Sequence, residues 1–126
     1  MLTQLKVANY ALIRDLEVRF GPGFNVITGE TGTGKSIIVG ALGLIIGNRA
    51  DTSVLSSESK KCVVEGSFHI KDYPVKQFFD DHDLDYDEQT ILRREITPSG
   101  KSRAFINDTP VTLNVLRELG DQLVDI

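Results

Sequence analysis

The sequence holds a single cysteine, Cys62, and no grouping of Cys and His at metal-ligand spacing. One thiol closes no disulfide within the chain and no ligand cluster suits a structural zinc, so a reducing compartment is expected, by default the cytoplasm. Basic residues are in deficit: 14 Lys and Arg stand against 18 Asp and Glu, a formal charge of −4. A broad face for nucleic-acid phosphates needs the opposite balance, so any such contact is expected to be local. Apolar residues dominate only from Ile37 to Ile46. A membrane-spanning helix needs ~20 apolar residues, and no charged-then-apolar segment opens the chain, so neither a span nor an export signal is expected. Repeats and low-complexity tracts are also absent. What remains, 126 residues that are 40% hydrophobic and 25% charged, has the composition of one globular domain with one core.

The patterning of what is present reads as strands on either side of one buried helix. Leu16, Val18 and Phe20 alternate with Asp15, Glu17 and Arg19, a period of two that makes a half-buried strand. A less regular strand precedes it around Leu5 and Val7. Gly21-Pro22-Gly23 is a turn signal, after which residues 24–28, FNVIT, read as a short strand. Ile38, Leu42 and Ile45 recur at helical spacing, while Ile37, Ala41, Leu44 and Ile46 leave almost no polar face; Gly47-Asn48 is a fitting end for this helix. Residues 51–61 read as an exposed loop and 62–70, CVVEGSFHI, as the next strand. Residues 73–83 predict a short helix with Pro74 in its first turn. QTILRREI (89–96) and SRAFIND (102–108) flank TPSG as a hairpin. Leu113, Leu116, Leu119 and Leu123 predict a final helix, capped by Thr109 or Thr112.

Between the FNVIT strand and the apolar helix lies GETGTGKS, which matches GxxxxGK[ST] at Gly29, Gly34, Lys35 and Ser36. A strand before and a helix after make backbone N–H groups and the helix dipole converge on one point. Glycine is needed where backbone approaches phosphate with no Cβ in the way. On this reading Gly29, Glu30, Thr31, Gly32, Thr33, Gly34, Lys35, Ser36 and Ile37 bind ATP, Lys35 reaches the β- and γ-phosphates, and the Ser36 hydroxyl is a ligand of Mg²⁺. Hydrolysis needs more: a second carboxylate for the metal and a group that orients water. The only apolar run ending in Asp after the loop is LVDI, whose spacing from Leu116 and Leu119 is helical, so Asp125 reads as a helix-end residue. No complete catalytic set is expected.

Two segments carry a more specific signal. NYALIRDLEVRFGPGFNVITGETGTGKSIIVGALGLIIGNRAD and LRREITPSGKSRAFINDTPVTLNVLRELGDQLVDI resemble the amino-terminal part of the RecN family, bacterial double-strand-break repair ATPases related to the SMC proteins. Residues 52–90 carry little of this signal. The resemblance implies an α/β P-loop NTPase fold, the N-terminal lobe of an ABC-type, SMC-like ATPase head with a strand-rich subdomain, residues 1–126 forming a partial head. It implies ATP and Mg²⁺ as cofactors, DNA as a partner of the full-length protein, and a bacterial cytoplasm with association to the nucleoid. It further implies a homodimer in which two heads sandwich ATP, each phosphate loop facing the signature motif of the other. In the family a His-Gly-Gln segment, a long coiled coil and a C-terminal lobe with the second carboxylate follow. The sequence stops at Ile126, so the expectation is an excised lobe that binds nucleotide without hydrolysing it.

Several residues have two readings. Arg49, after the apolar helix, either reaches nucleotide phosphate or DNA, as an arginine in this vicinity does in related heads, or is a cation stabilised by the helix C-terminus. Arg93, Arg94, Lys101 and Arg103 cluster on the predicted hairpin, where Arg94 and Arg103 form either a DNA patch or a solvated charged surface. Tyr10 either approaches an adenine ring or packs near the first turn. His69 and His82 lack ligand-spaced partners, and the acidic run DDHDLDYDE lacks the glycine and terminal spacing of a calcium loop. Two other functions compete with the ATPase lobe: a small-molecule P-loop kinase, disfavoured because two strands precede the loop strand, and a non-catalytic nucleotide-sensing module.

Overall fold

The computed structural model describes residues 1–11, 13–20, 31–50 and 60–124, with 31–36 described by their backbone. The strand predicted at FNVIT and most of the loop predicted at 51–61 lie outside these residues. Among the described residues, alternation of apolar and polar residues produces six strands: β1 (Leu2–Tyr10), β2 (Ile13–Arg19), β3 (Cys62–His69), β4 (Gln89–Ile96), β5 (Ser102–Ile106) and β6 (Thr109–Val111). They form one sheet in the order β2-β1-β3-β4-β5-β6, with every neighbouring pair antiparallel. Three helices among the described residues accompany it: α1 (Thr31–Ile45), α2 (Lys76–Asp81) and α3 (Leu113–Leu123). Among the described residues no helix is long and apolar enough to cross a membrane.

The period of two puts Leu5, Val7, Cys62, Val64, Phe68, Leu92, Ile96, Ala104 and Ile106 on one buried face. Against it pack Ile38, Ala41, Leu44 and Ile45 of α1 and Leu116, Leu119 and Leu123 of α3. The other face carries a cross-strand row, Glu17, Lys6, Glu65, Arg93 and Phe105, in which opposite charges stand opposite one another across β2, β1, β3 and β4. Arg93 stacks over the Phe105 ring at 4.3 Å and pairs with Asp108 at 3.0 Å.

The chain departs from the predicted elements in two places. Residues 102–108 are not one strand leading to a helix: β5 stops at Ile106, and Asn107 and Asp108, at φ 49° and 67°, turn the chain into β6. A two-residue hairpin loop with both φ positive matches strand twist, and Asn and Asp tolerate that region. The cap of α3 is therefore Thr112, whose hydroxyl accepts from the Val115 N–H at 3.2 Å, while Thr109 opens β6. The short helix α2 begins at Lys76 with Val75 as its N-cap, leaving Pro74 just before the helix instead of within its first turn.

Candidate nucleotide-binding site

α1 starts at Thr31, inside the GETGTGKS motif, so the backbone of residues 31–36 forms the helix's first turns. The first N–H groups of a helix have no partner within it and the dipole is positive there, which makes this end suited to an anion. No acidic residue occupies the first turn. The donor set therefore fits a polyphosphate: backbone donors with no partner inside the helix, Lys35 and Ser36 in sequence, and no acidic residue in the first turn. Gly29 and Glu30 lie outside the described residues. Ile37 is buried in the packed flank of the helix, which leaves its backbone as the part suited to ligand.

The opposite end of α1 is held unusually firmly. Gly47, at φ 98°, donates its N–H to Leu44 O at 3.2 Å, and Asn48 donates to Gly43 O at 2.9 Å. These are the two bonds of a Schellman motif, and they require a left-handed residue where Gly47 stands. Arg94 of β4 adds side-chain caps: its Nη1 donates to Leu44 O at 2.9 Å and to Asn48 O at 2.7 Å, while its Nε donates to Ser102 Oγ at 2.7 Å. Arg117 of α3 donates to Gly47 O at 2.8 Å. Cations at a helix C-terminus meet the negative end of the dipole. Burial lowers the Arg94 pKa, and neighbouring Arg117 lowers it further. α3 also approaches α1 through backbone: a Cβ at Gly120 would lie 2.7 Å from Ile46 Cα, and one at Gly47 would lie 2.7 Å from Arg117 Cα.

The pleat separates the arginines that the sequence groups together. Arg94 pairs across the sheet with Ala104 and points into the helix-packed face, 1% exposed, so it is not on a DNA-accessible surface. Arg103 stands opposite Glu95 on the other face, which removes the expected clash of like charges. Glu95 also pairs with Lys61 at 3.1 Å and lies 3.3 Å from Arg93 Nε. Arg49 is exposed beyond the end of α1. It lines with Ala50, Arg94, Ser102 and Leu113 a cleft of about 280 Å³. Tyr10 is a packing residue: its hydroxyl lies against α1 at Gly40, and burial raises its pKa, with Cys62 adding to the shift. Asp125 lies outside the described residues. Sequence reading missed Arg117, whose capping role is set by α3 docking. It also missed Asn107, which exchanges hydrogen bonds with the Ile91 backbone. The Asn-Asp pair before a Thr was the available signal for that turn.

Comparison with known proteins bears on the same region. The AAA-domain family matches residues 4–125. The DNA repair protein RecN of Xylella fastidiosa strain 9a5c is 42% identical over 127 residues, covering 100% of this chain and 23% of that protein. The DNA repair protein RecN of Bacillus subtilis strain 168 is 40% identical over 128 residues, with 100% and 22% covered. The chain thus spans less than a quarter of the length of these relatives. A solved Smc head domain with a coiled coil and joint, derived from Pyrococcus yayanosii, superposes with a TM-score of 0.73 at 20% identity, covering 94% of this chain and 24% of that one. The SMC head domain from Thermotoga maritima gives 0.69 at 21%, with 94% and 41% covered. These likenesses establish the fold as that of a P-loop ATPase head.

Proposed function

The chain belongs to the AAA-domain family, and from that premise we propose that it is the ATP-binding lobe of a RecN-like ATPase acting in recombinational repair of DNA double-strand breaks. The observation that carries the reading is the complete GxxxxGK[ST] motif running into a helix that begins at Thr31 with no acidic residue in its first turn. In this reading residues 1–126 are one part of a head. Backbone N–H groups of residues 29–37 receive the phosphates, Lys35 neutralises them, and Ser36 holds Mg²⁺, which when bound shields charge on the phosphates. The lobe alone binds nucleotide and does not turn it over; a second head and a C-terminal lobe supply the rest. DNA is the partner of the assembled protein, with Arg49 and Arg103 the side chains offered to phosphate. The β1–β2 hairpin ahead of the motif favours this reading over a small-molecule kinase.

The deciding experiment is calorimetric titration of the chain with Mg-ATP beside an ATPase assay. Binding that Lys35→Ala abolishes, without turnover, is expected; binding that survives Lys35→Ala removes the phosphate assignment, and turnover by the isolated chain reopens the kinase and stand-alone ATPase readings. For DNA, Arg49→Ala/Arg103→Ala in the full-length protein is expected to flatten the salt dependence of binding. An unchanged slope eliminates these two contacts.

A further inference from the structure

We propose that Arg94 is a positioning residue for the nucleotide site, acting from the far end of α1 by fixing where that helix lies. The inference rests on the nucleotide-binding reading above. Arg94 joins three segments that are distant in sequence: the body of α1 through Leu44 O, the chain leaving α1 through Asn48 O, and β5 through Ser102 Oγ. It is 1% exposed, and no carboxylate among the described residues pairs with it.

Core stability alone does not account for an arginine here. A buried cation carries a large desolvation cost, and apolar residues of similar volume commonly replace such groups without loss of stability. What an apolar residue lacks is direction. The guanidinium is a rigid planar fork of donors, and two carbonyls plus a hydroxyl bound to one fork fix the helix end in translation and in rotation about its axis. Arg117 on Gly47 O and the backbone contact of Gly120 with Ile46 secure the same end from α3. Thr31 and Leu44 are separated by about 20 Å of regular helix, so a small tilt or roll at Leu44 is carried to the residues that meet phosphate. Phosphate binding by backbone N–H groups depends on where those groups point, and a displacement of about 1 Å is enough to cost a preorganised catalytic geometry up to ~100-fold.

The test titrates the chain and three variants with Mg-ATP, each well below its own melting midpoint. Arg94→Met nearly keeps the side-chain volume and removes the fork, Arg94→Lys keeps the charge and loses the geometry, and Phe79→Leu, in the buried part of α2, lowers stability without altering any hydrogen bond of the Arg94 clamp. Expected are binding at least ~10-fold weaker for Arg94→Met, a smaller loss for Arg94→Lys, and wild-type affinity for Phe79→Leu despite its lowered Tm. Affinity within twofold of wild type for Arg94→Met overturns the proposal, as does an equal loss in Phe79→Leu, which would make the effect one of general stability. If Arg94→Met does not fold, Arg94→Lys decides by the same criterion. Failure of the wild-type chain to bind Mg-ATP, or binding indifferent to Lys35→Ala, instead sinks the nucleotide reading and the positioning role with it.

Discussion

Gly120→Ala tests a place where α3 meets the backbone at the end of α1. In an ordinary helix interior this change stabilises by about 1 kcal/mol, because alanine has the better helix propensity. Here the added Cβ would sit 2.7 Å from Ile46 Cα, 2.8 Å from Ile46 Cβ and 3.1 Å from Ile46 O. Carbon atoms rest at about 3.5–4.0 Å, and two of these atoms are backbone that no rotamer change can withdraw, so α1 and α3 must part by roughly 1 Å. Leu116, Leu119 and Leu123 share the buried side of α3 and move with it. A radial gap of that size forfeits about a quarter to a half of each contact they make. Overpacking of this kind costs about 1–3 kcal/mol, and an unyielding backbone contact belongs at the upper end, leaving about 2 kcal/mol net after the propensity gain. For a domain of this size that is a fall in Tm of about 6–10 °C. Circular dichroism melts, with urea unfolding as a second probe, compare Gly120→Ala with Asn114→Ala on the exposed side of the same helix. If Gly120→Ala melts at or above wild type while Asn114→Ala is neutral, the two helices do not cross in backbone contact and the docking of α3 described above is wrong.

Two further outcomes follow from local geometry. Asp108 occupies the second position of the β5–β6 turn at φ 67°, so Asp108→Gly relieves left-handed strain of about 1 kcal/mol while losing an exposed ion pair with Arg93 worth less than that; a small rise in the urea midpoint is expected, and a fall would mean that the pair outweighs the strain. Cys62 is fully buried, and burial pushes its thiol up from 9.0 to about 11. A folded pKa above the unfolded one stabilises fully below the unfolded value and is lost as pH rises through the folded value, so wild type should lose about 2 kcal/mol more than Cys62→Ala between pH 9 and pH 11. Parallel pH profiles for the two proteins would show that the thiol is not desolvated.

Strands whose alternation is strict were readable from sequence: β4 spans the predicted 89–96, and β3 stops one residue short of the predicted 62–70. The period of two is a local property that burial on one face imposes directly. The Gly47-Asn48 helix end was legible for a similar reason, because a left-handed cap selects its own residue type. β6 was not, since three residues with Pro110 at the sheet edge carry no period and resemble the lead-in to a helix. Proximity in sequence misled at Arg93 and Arg94, adjacent residues that the pleat sends to opposite faces. At the candidate site the phosphate loop was legible as a motif, whereas the clamp on the other end of α1 brings together residues 44, 48, 94, 102 and 117. Only the tertiary pairing of β4 and the docking of α3 make that set.

The position of β1 inside the sheet has a consequence for synthesis. β1 leaves the ribosome ahead of the other described strands and can pair with β2 at once, but its other edge waits for β3, whose first residue follows Tyr10 by 52 positions. At translation rates of about 5–20 residues per second that is a delay of roughly 3–10 s, during which the nascent β1–β2 hairpin presents a row of unpaired donors and acceptors to its surroundings. A fold whose oldest strand is completed from the middle outward depends, in that interval, on being shielded by the ribosome or by chaperones from pairing with a neighbour's chain instead of its own.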